Sequence, residues 1–202
     1  MQKMIFVHVL KTAGTTLIMA LKRIYKKRLL NDKFYKKGSY DTKNIIRIDN
    51  QIYPPNYETY DAITGHYKWD KYDHLNWPLV TFLRNPVERM ISLYYYLRLS
   101  YKKFGYGDLD IVQLSKLINN QASYVVGDLD KYAFIGITEQ FDKSFKLMSE
   151  QFNLKPILNI ENKRVSHLKE KVNKKTRRKI RDNILEDVKL YEEAVRRFEN
   201  LK

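Results

Sequence analysis

The chain contains no cysteine. That removes disulfide staples, thiolate metal sites and cysteine nucleophiles together. Glycine and proline are scarce, seven and five among 202 residues, so no flexible linker or low-complexity stretch divides the chain. No apolar run approaches the roughly 20 residues that cross a bilayer as a helix. The opening residues enter a strand pattern at once, which leaves no room for a signal peptide, and the expected location is the cytoplasm. Acidic residues are the minority charge: 23 Asp and Glu stand against 38 Lys and Arg, a net charge of +15.

What is present describes a folded core. Hydrophobic residues make up 44% of the chain and aromatics 13%, and 202 residues are enough for one domain spanning residues 1–202. The positive excess favours anionic partners such as nucleotides, sulfated or phosphorylated glycans, nucleic acid or an acidic membrane face. It gathers in two places: Lys22, Arg23, Lys26, Lys27, Arg28, Lys36 and Lys37, then Lys169, Lys171, Lys174, Lys175, Arg177, Arg178, Lys179 and Arg181. Most of these side chains read as solvated helix faces.

The organising stretch is Ile5-Phe6-Val7-His8-Val9-Leu10-Lys11-Thr12-Ala13-Gly14-Thr15-Thr16-Leu17. Its β-branched and aromatic start suits a buried parallel strand. Gly14 is expected to take a positive φ in the turn, and Thr15 or Thr16 to cap the following helix. The core face of that helix is Leu17, Ala20, Leu21 and Ile24. A helix N-terminus binds anions through its unpaired N–H groups and its dipole, and Lys11 sets an ammonium beside it. The stretch is not the nucleoside triphosphate loop G-x-x-x-x-G-K-[ST], because its lysine precedes its only glycine. An ordinary strand–turn–helix with a surface lysine reads equally well from this segment alone.

Further along, residues 31–60 read as irregular, with a short strand at the apolar patch 45–48. Tyr60-Asp61-Ala62-Ile63-Thr64-Gly65-His66 reads as a strand that delivers His66 to the edge where α/β folds bind ligands. Residues 79–83 form a buried strand followed by Arg84. Asn85, Pro86 and Glu88 then compose an N-cap, first-turn proline and capping box for a helix that buries Val87, Met90, Ile91 and Tyr94. An amphipathic helix covers 108–120. The stretch 132–139 reads as another core strand, with Thr138 capping a helix that buries Phe141, Phe145, Met148 and Phe152. An edge strand is expected at 157–160. Two helices close the chain, the second with a capping box of Asn183 and Glu186.

His8-Val9-Leu10-Lys11-Thr12-Ala13-Gly14-Thr15-Thr16 resembles the 5′-phosphosulfate loop of sulfotransferases, with Leu10 where most relatives have proline. The nearest branch looks like the carbohydrate sulfotransferases related to heparan sulfate 2-O-sulfotransferase. These use 3′-phosphoadenosine 5′-phosphosulfate (PAPS) as sulfuryl donor. Leu83-Arg84-Asn85-Pro86 through Ser92 resembles their 3′-phosphate motif. The likeness runs from Ile5 to about Phe198. It implies a three-layer, P-loop-NTPase-like α/β fold with a central parallel sheet flanked by helices.

It also implies roles. Lys11, Thr12, Ala13, Gly14, Thr15 and Thr16 would hold the 5′ end of the donor, and Arg84 and Ser92 its 3′-phosphate, with Arg164 in a basic loop nearby. His66 matches the second histidine of a histidine–glycine–histidine that supplies the catalytic base, and Thr64 replaces the first; His74 is the reserve base. Asn119 and Gln121 match an acceptor-side run in which Ala122 and Ser123 replace a threonine and an arginine. The expected acceptor is a small molecule or glycan, and no metal or nucleic acid is required. A peripheral contact with an acidic membrane face stays compatible with the charge. Two other functions fit less well: a P-loop-like small-molecule kinase, and a non-enzymatic binder of polyanions or nucleic acid.

Overall fold

The computed structural model describes residues 2–32, 46–48, 51–54, 56–100, 109–155 and 171–201. Its centre is a five-stranded, wholly parallel sheet: β1 (Met4–Val7), β2 (Leu29–Asp32), β5 (Ala62–Gly65), β6 (Leu79–Leu83) and β7 (Tyr132–Ile137). The spatial order is β2-β5-β1-β6-β7, which puts β1 in the middle. The remaining strands, β3 (Ile46–Ile48) and β4 (Gln51–Tyr53), pair with each other as an antiparallel hairpin. The expected edge strand at 157–160 lies outside the described residues.

Alternation along the strands divides the core. Met4, Phe6, Val80 and Phe82 point to one face, where they meet Leu17, Ala20, Leu21 and Ile24 of α1 (Gly14–Tyr25). Phe141, Phe145 and Met148 of α5 (Phe141–Gln151) and Ala194 and Phe198 of α7 (Leu185–Glu199) complete that layer. Ile5, Val7, Ile63 and Leu79 point to the other face, which is filled by Tyr53, Tyr57, Tyr67 and Tyr72 from the hairpin, the bend after β5 and short 3-10 turns. Between the layers every residue of β1, β5 and β6 is buried. Such strands read as continuous apolar runs, and β1 and β6 were legible for that reason.

A second cluster joins α2 (Pro86–Ser100), α3 (Ile111–Leu117) and α6 (Lys174–Asn183) to α7 through Met90, Ile91, Leu114, Ile180, Ile184 and Val188. Its polar keystone is Arg89, whose Nη2 lies 2.8 Å from Asp187 Oδ2, both side chains almost wholly buried. Burial pulls the guanidinium below its usual pKa, and the Asp187 carboxylate opposes that. Asp187 also accepts the amides of Ala122 and Ser123 at 3.2 and 2.8 Å. It thereby caps α4 (Gln121–Val126), a helix the sequence does not announce.

The caps correct several expectations. Asn85 Oδ1 does accept the amides of Val87 and Glu88, at 3.1 and 3.2 Å. Glu88 does not close the box, because its carboxylate pairs with Arg177; the Asn85 amide goes to Glu139 instead. Asn183 ends α6, and the amides of Glu186 and Asp187 are taken by Asn120 Oδ1. Thr138 opens a 3-10 turn before α5, whose N-cap, Gln140, makes no side-chain bond. In each of the first two cases a partner distant in sequence outcompetes the local one.

Breaking a buried ion pair strands the surviving charge. Asp187→Ala is therefore expected to destabilise the protein by about 3–5 kcal/mol, read from the denaturant midpoint. Removing the exposed Lys189–Glu186 pair should change stability by less than about 1 kcal/mol.

Candidate active site

Parallel strands deliver their C-terminal ends to one edge, and the register pairs Val7 with both Gly65 and Thr81. The residues that leave β1, β5 and β6 at that edge are His8, His66 and Arg84. The turn after β1 is tightly built. Thr12, fully buried, donates its hydroxyl to the Val9 carbonyl at 2.9 Å. Lys11 and Ala13 take left-handed backbone, at φ 70° and 60°, a conformation that costs a non-glycine residue on the order of 1 kcal/mol or more.

Gly14 does not take the positive φ expected of it, since Gly14 begins α1 with ordinary helical backbone. Its small size is needed for a different reason. A methyl group there would lie 1.8 Å from His8 Nε2. Nor do Thr15 and Thr16 cap α1. Both sit in its first turn, and the N-cap, Ala13, makes no side-chain bond. The first N–H groups of a helix have no intrahelical acceptor, so this end presents backbone donors, with no acidic residue in its first turn. The Thr16 amide already bonds the Ala13 carbonyl at 3.0 Å and its side chain is buried, while Thr15 is half-buried.

Arg84 reaches this turn. Its Nη1 donates to the Lys11 carbonyl at 3.3 Å, across 73 residues of sequence. The Lys11 ammonium lies 4.5 Å from the centre of the Tyr96 ring on α2, a cation–π distance. Ser92 lies on the same helix and is buried. Lysine, arginine and the uncapped helix start thus form one cationic corner.

His66 closes the other side. Its Nδ1 lies 2.8 Å from the His8 carbonyl. A carbonyl only accepts, so Nδ1 carries the proton and the neutral ring keeps its lone pair on Nε2. Burial lowers the His66 pKa from its ordinary 6.5, against the opposing pull of the His8 carbonyl. The His8 ring stacks between Phe6, at 5.5 Å, and His66, at 4.1 Å between centroids. Burial, with a smaller effect from His66, pushes the His8 pKa down to about 3. Among the described residues, His8 Nδ1 and the hydroxyl of Thr64 are buried without a hydrogen-bond partner.

The other expected residues lie apart from this corner or elsewhere in the bonding pattern. Gln121 Oε1 accepts from Arg89 Nη1 at 3.1 Å, which ties it into the helix junction. Asn119 is exposed in the turn before α4. His74 Nε2 meets the Tyr57 hydroxyl at 2.9 Å, within the tyrosine cluster. Arg164 lies outside the described residues. A cavity of about 390 Å³ is lined by Glu88, Ile91, Lys171, Lys174 and Arg177, none of them in the β1–α1 turn. Among the described residues no group of three or more His, Asp or Glu is placed to hold a metal ion.

Two contributors were missed. Tyr96 belongs to a run of three tyrosines that reads as core and rim. His8 sits in strand register, where it reads as part of the β1 pattern. The signal that could have found Tyr96 is its helical spacing from Ser92, four residues earlier on one face.

The two histidines also set a pH dependence. The unfolded chain takes up their protons near pH 6.5, the folded chain only lower. Stability is therefore complete above pH 6.5 and is lost as pH falls below it. For His8 the expected loss between pH 6.5 and about pH 5 is about 2 kcal/mol. Denaturant titrations at a series of pH values should show this slope, and His8→Leu should flatten it.

The model of the Sulfotransferase family matches residues 1–129, a span that runs from β1 to just beyond α4 and holds the turn, His66, Arg84 and Ser92. No curated protein matches the chain. Among solved structures, mouse sulfotransferase SULT7A1 complexed with PAP aligns at 12% identity and a TM-score of 0.46, over 90% of this chain and 63% of that one. The chain thus spans less than two thirds of that relative's length. On the family match, which takes in well over half of the residues, the chain belongs to the sulfotransferase family.

Proposed function

We propose that the protein transfers a sulfuryl group from PAPS to a hydroxyl, in the manner of the carbohydrate branch it resembles. The observation that carries this reading is the hydrogen bond from Arg84 to the Lys11 carbonyl. It joins two motifs that lie far apart in sequence into one corner suited to a doubly phosphorylated nucleotide.

The residues fit such a donor. Gly14 and Thr15 offer backbone N–H groups to a 5′-phosphate, and the Thr15 hydroxyl adds a donor. Consecutive amides in left-handed turns form concave anion nests, and the backbone at Lys11 and Ala13 suits one. Arg84 would supply a planar fork for the 3′-phosphate, and Ser92, the serine of the same motif, a hydroxyl. Lys11, a mobile point charge, stabilises the negative charge that grows on the bridging oxygen. His66 Nε2 takes the hydroxyl proton as the acceptor oxygen bonds to sulfur and the sulfur–oxygen bond to the phosphate breaks. A neutral imidazole suits this near pH 7, and burial keeps His66 neutral there. Positioning and charge stabilisation then supply most of the rate. For the acceptor we favour a sugar hydroxyl. Ala122 and Ser123, where relatives carry threonine and arginine, argue against assuming the same acidic sugar.

Thermal shift with adenosine 3′,5′-bisphosphate, ATP with magnesium, and a DNA oligonucleotide should stabilise the protein only in the first case. Stabilisation by ATP alone would point to a kinase, and by DNA alone to a polyanion binder. Arg84→Ala should erase the preference for adenosine 3′,5′-bisphosphate over adenosine 5′-phosphate, a loss of about tenfold to a hundredfold in relative Kd. Lys11→Ala and His66→Ala should abolish turnover while the bisphosphate still binds. Full activity in His66→Ala would move the base elsewhere.

A further inference from the structure

We propose that His8 is a positioning residue for His66: its carbonyl and its buried imidazole together fix the base against the start of α1. The inference rests on the sulfuryl-transfer reading for the role of His66, but its geometry does not. The His8 carbonyl receives the His66 Nδ1 proton at 2.8 Å, which selects the tautomer. The His8 ring lies 4.1 Å from the His66 ring, centroid to centroid. The edge of the same ring packs on Gly14 so closely that a methyl group has no room there. One residue therefore touches both the base and the first residue of the helix that would hold the donor.

Packing alone does not account for a histidine here. The side chain is 8% exposed and its Nδ1 has no partner among the described residues. Burying an unpaired polar nitrogen opposes folding, and an aliphatic side chain would fill the same space without it. What the flat ring provides is a shallow surface. It fits between the Phe6 ring, inclined to it by 18°, and His66, inclined by 32°, while leaving room for α1 to start. His8 thus couples the two halves of the site: a shift of the helix start would carry the His66 ring with it.

The test follows the His66 proton by NMR in protein with labelled histidines, with His66→Gln as the assignment control. In the unaltered protein His66 should be a single Nδ1–H tautomer at neutral pH and should protonate below pH 6.5. In His8→Ala, which keeps the carbonyl and removes only the ring, the midpoint should move up toward the ordinary value while the Nδ1–H tautomer persists. Affinity for adenosine 3′,5′-bisphosphate should fall by less than about tenfold, because the backbone donors of α1 remain. A folded His8→Ala with the His66 midpoint of the unaltered protein, or an Nε2–H tautomer in the unaltered protein, would overturn the proposal. Should that variant fail to fold, His8→Asn, which keeps part of the volume and a polar atom, is read by the same midpoint. A protein that fails to bind the bisphosphate at all would sink the donor reading, while the His66 signals would still decide the role of His8.

Discussion

The turn between β1 and α1 carries two left-handed, non-glycine residues within three positions, and the surroundings must hold them there. Thr12 does so from inside through its bond to Val9. Arg84 does so from the neighbouring strand through the Lys11 carbonyl. The His8–Gly14 contact fixes where the helix begins. Strained backbone persists only where such contacts over-determine it. Arg84 also belongs to the cationic corner and His8 also touches the base, so the structure that maintains the strain overlaps the structure that would do chemistry.

The sheet makes this possible. A parallel arrangement brings the exits of β1, β5 and β6 to one edge, and their central place keeps the anchoring backbone dry. The opposite wall is held by a polar device. Asp32, at the end of β2, takes the Lys71 ammonium at 2.6 Å and the Tyr72 hydroxyl at 2.9 Å, and the Lys71 charge also lies over the rings of Tyr53, Tyr67 and Tyr72. This fastens the residues just after His66 to the edge strand without adding any group to the cationic corner.

Much of this was legible in the chain. β1, β6 and β7 are short apolar runs with no competing helical period, and α1 and α5 announce their buried faces at i, i+3, i+4 spacing. That His66 and Arg84 leave the sheet at the edge of the β1–α1 turn could be inferred because parallel strands share an exit edge. What stayed hidden was settled by distant partners. β2 has four residues behind the basic run 26–28 and lies half exposed at the sheet edge, too short to show a period. α4 is capped by Asp187, some 64 residues away, so nothing local marks it. Gly14 was correctly picked out but for the wrong cause: a close approach across the fold, invisible from neighbours in sequence, excludes a side chain there.

The bare start of α1 sets it apart from α2, α3 and α6, each of which brings an Asn or Asp oxygen to its own first amides. On the proposed reading, the phosphate of an arriving donor would supply the missing oxygen. Cargo and cap are then one object, and by thermodynamic linkage whatever binds there also shifts the folding equilibrium toward the native state. On that reading an empty molecule would be an unfinished one, and its resistance to unfolding would gauge how much of its ligand the surroundings hold.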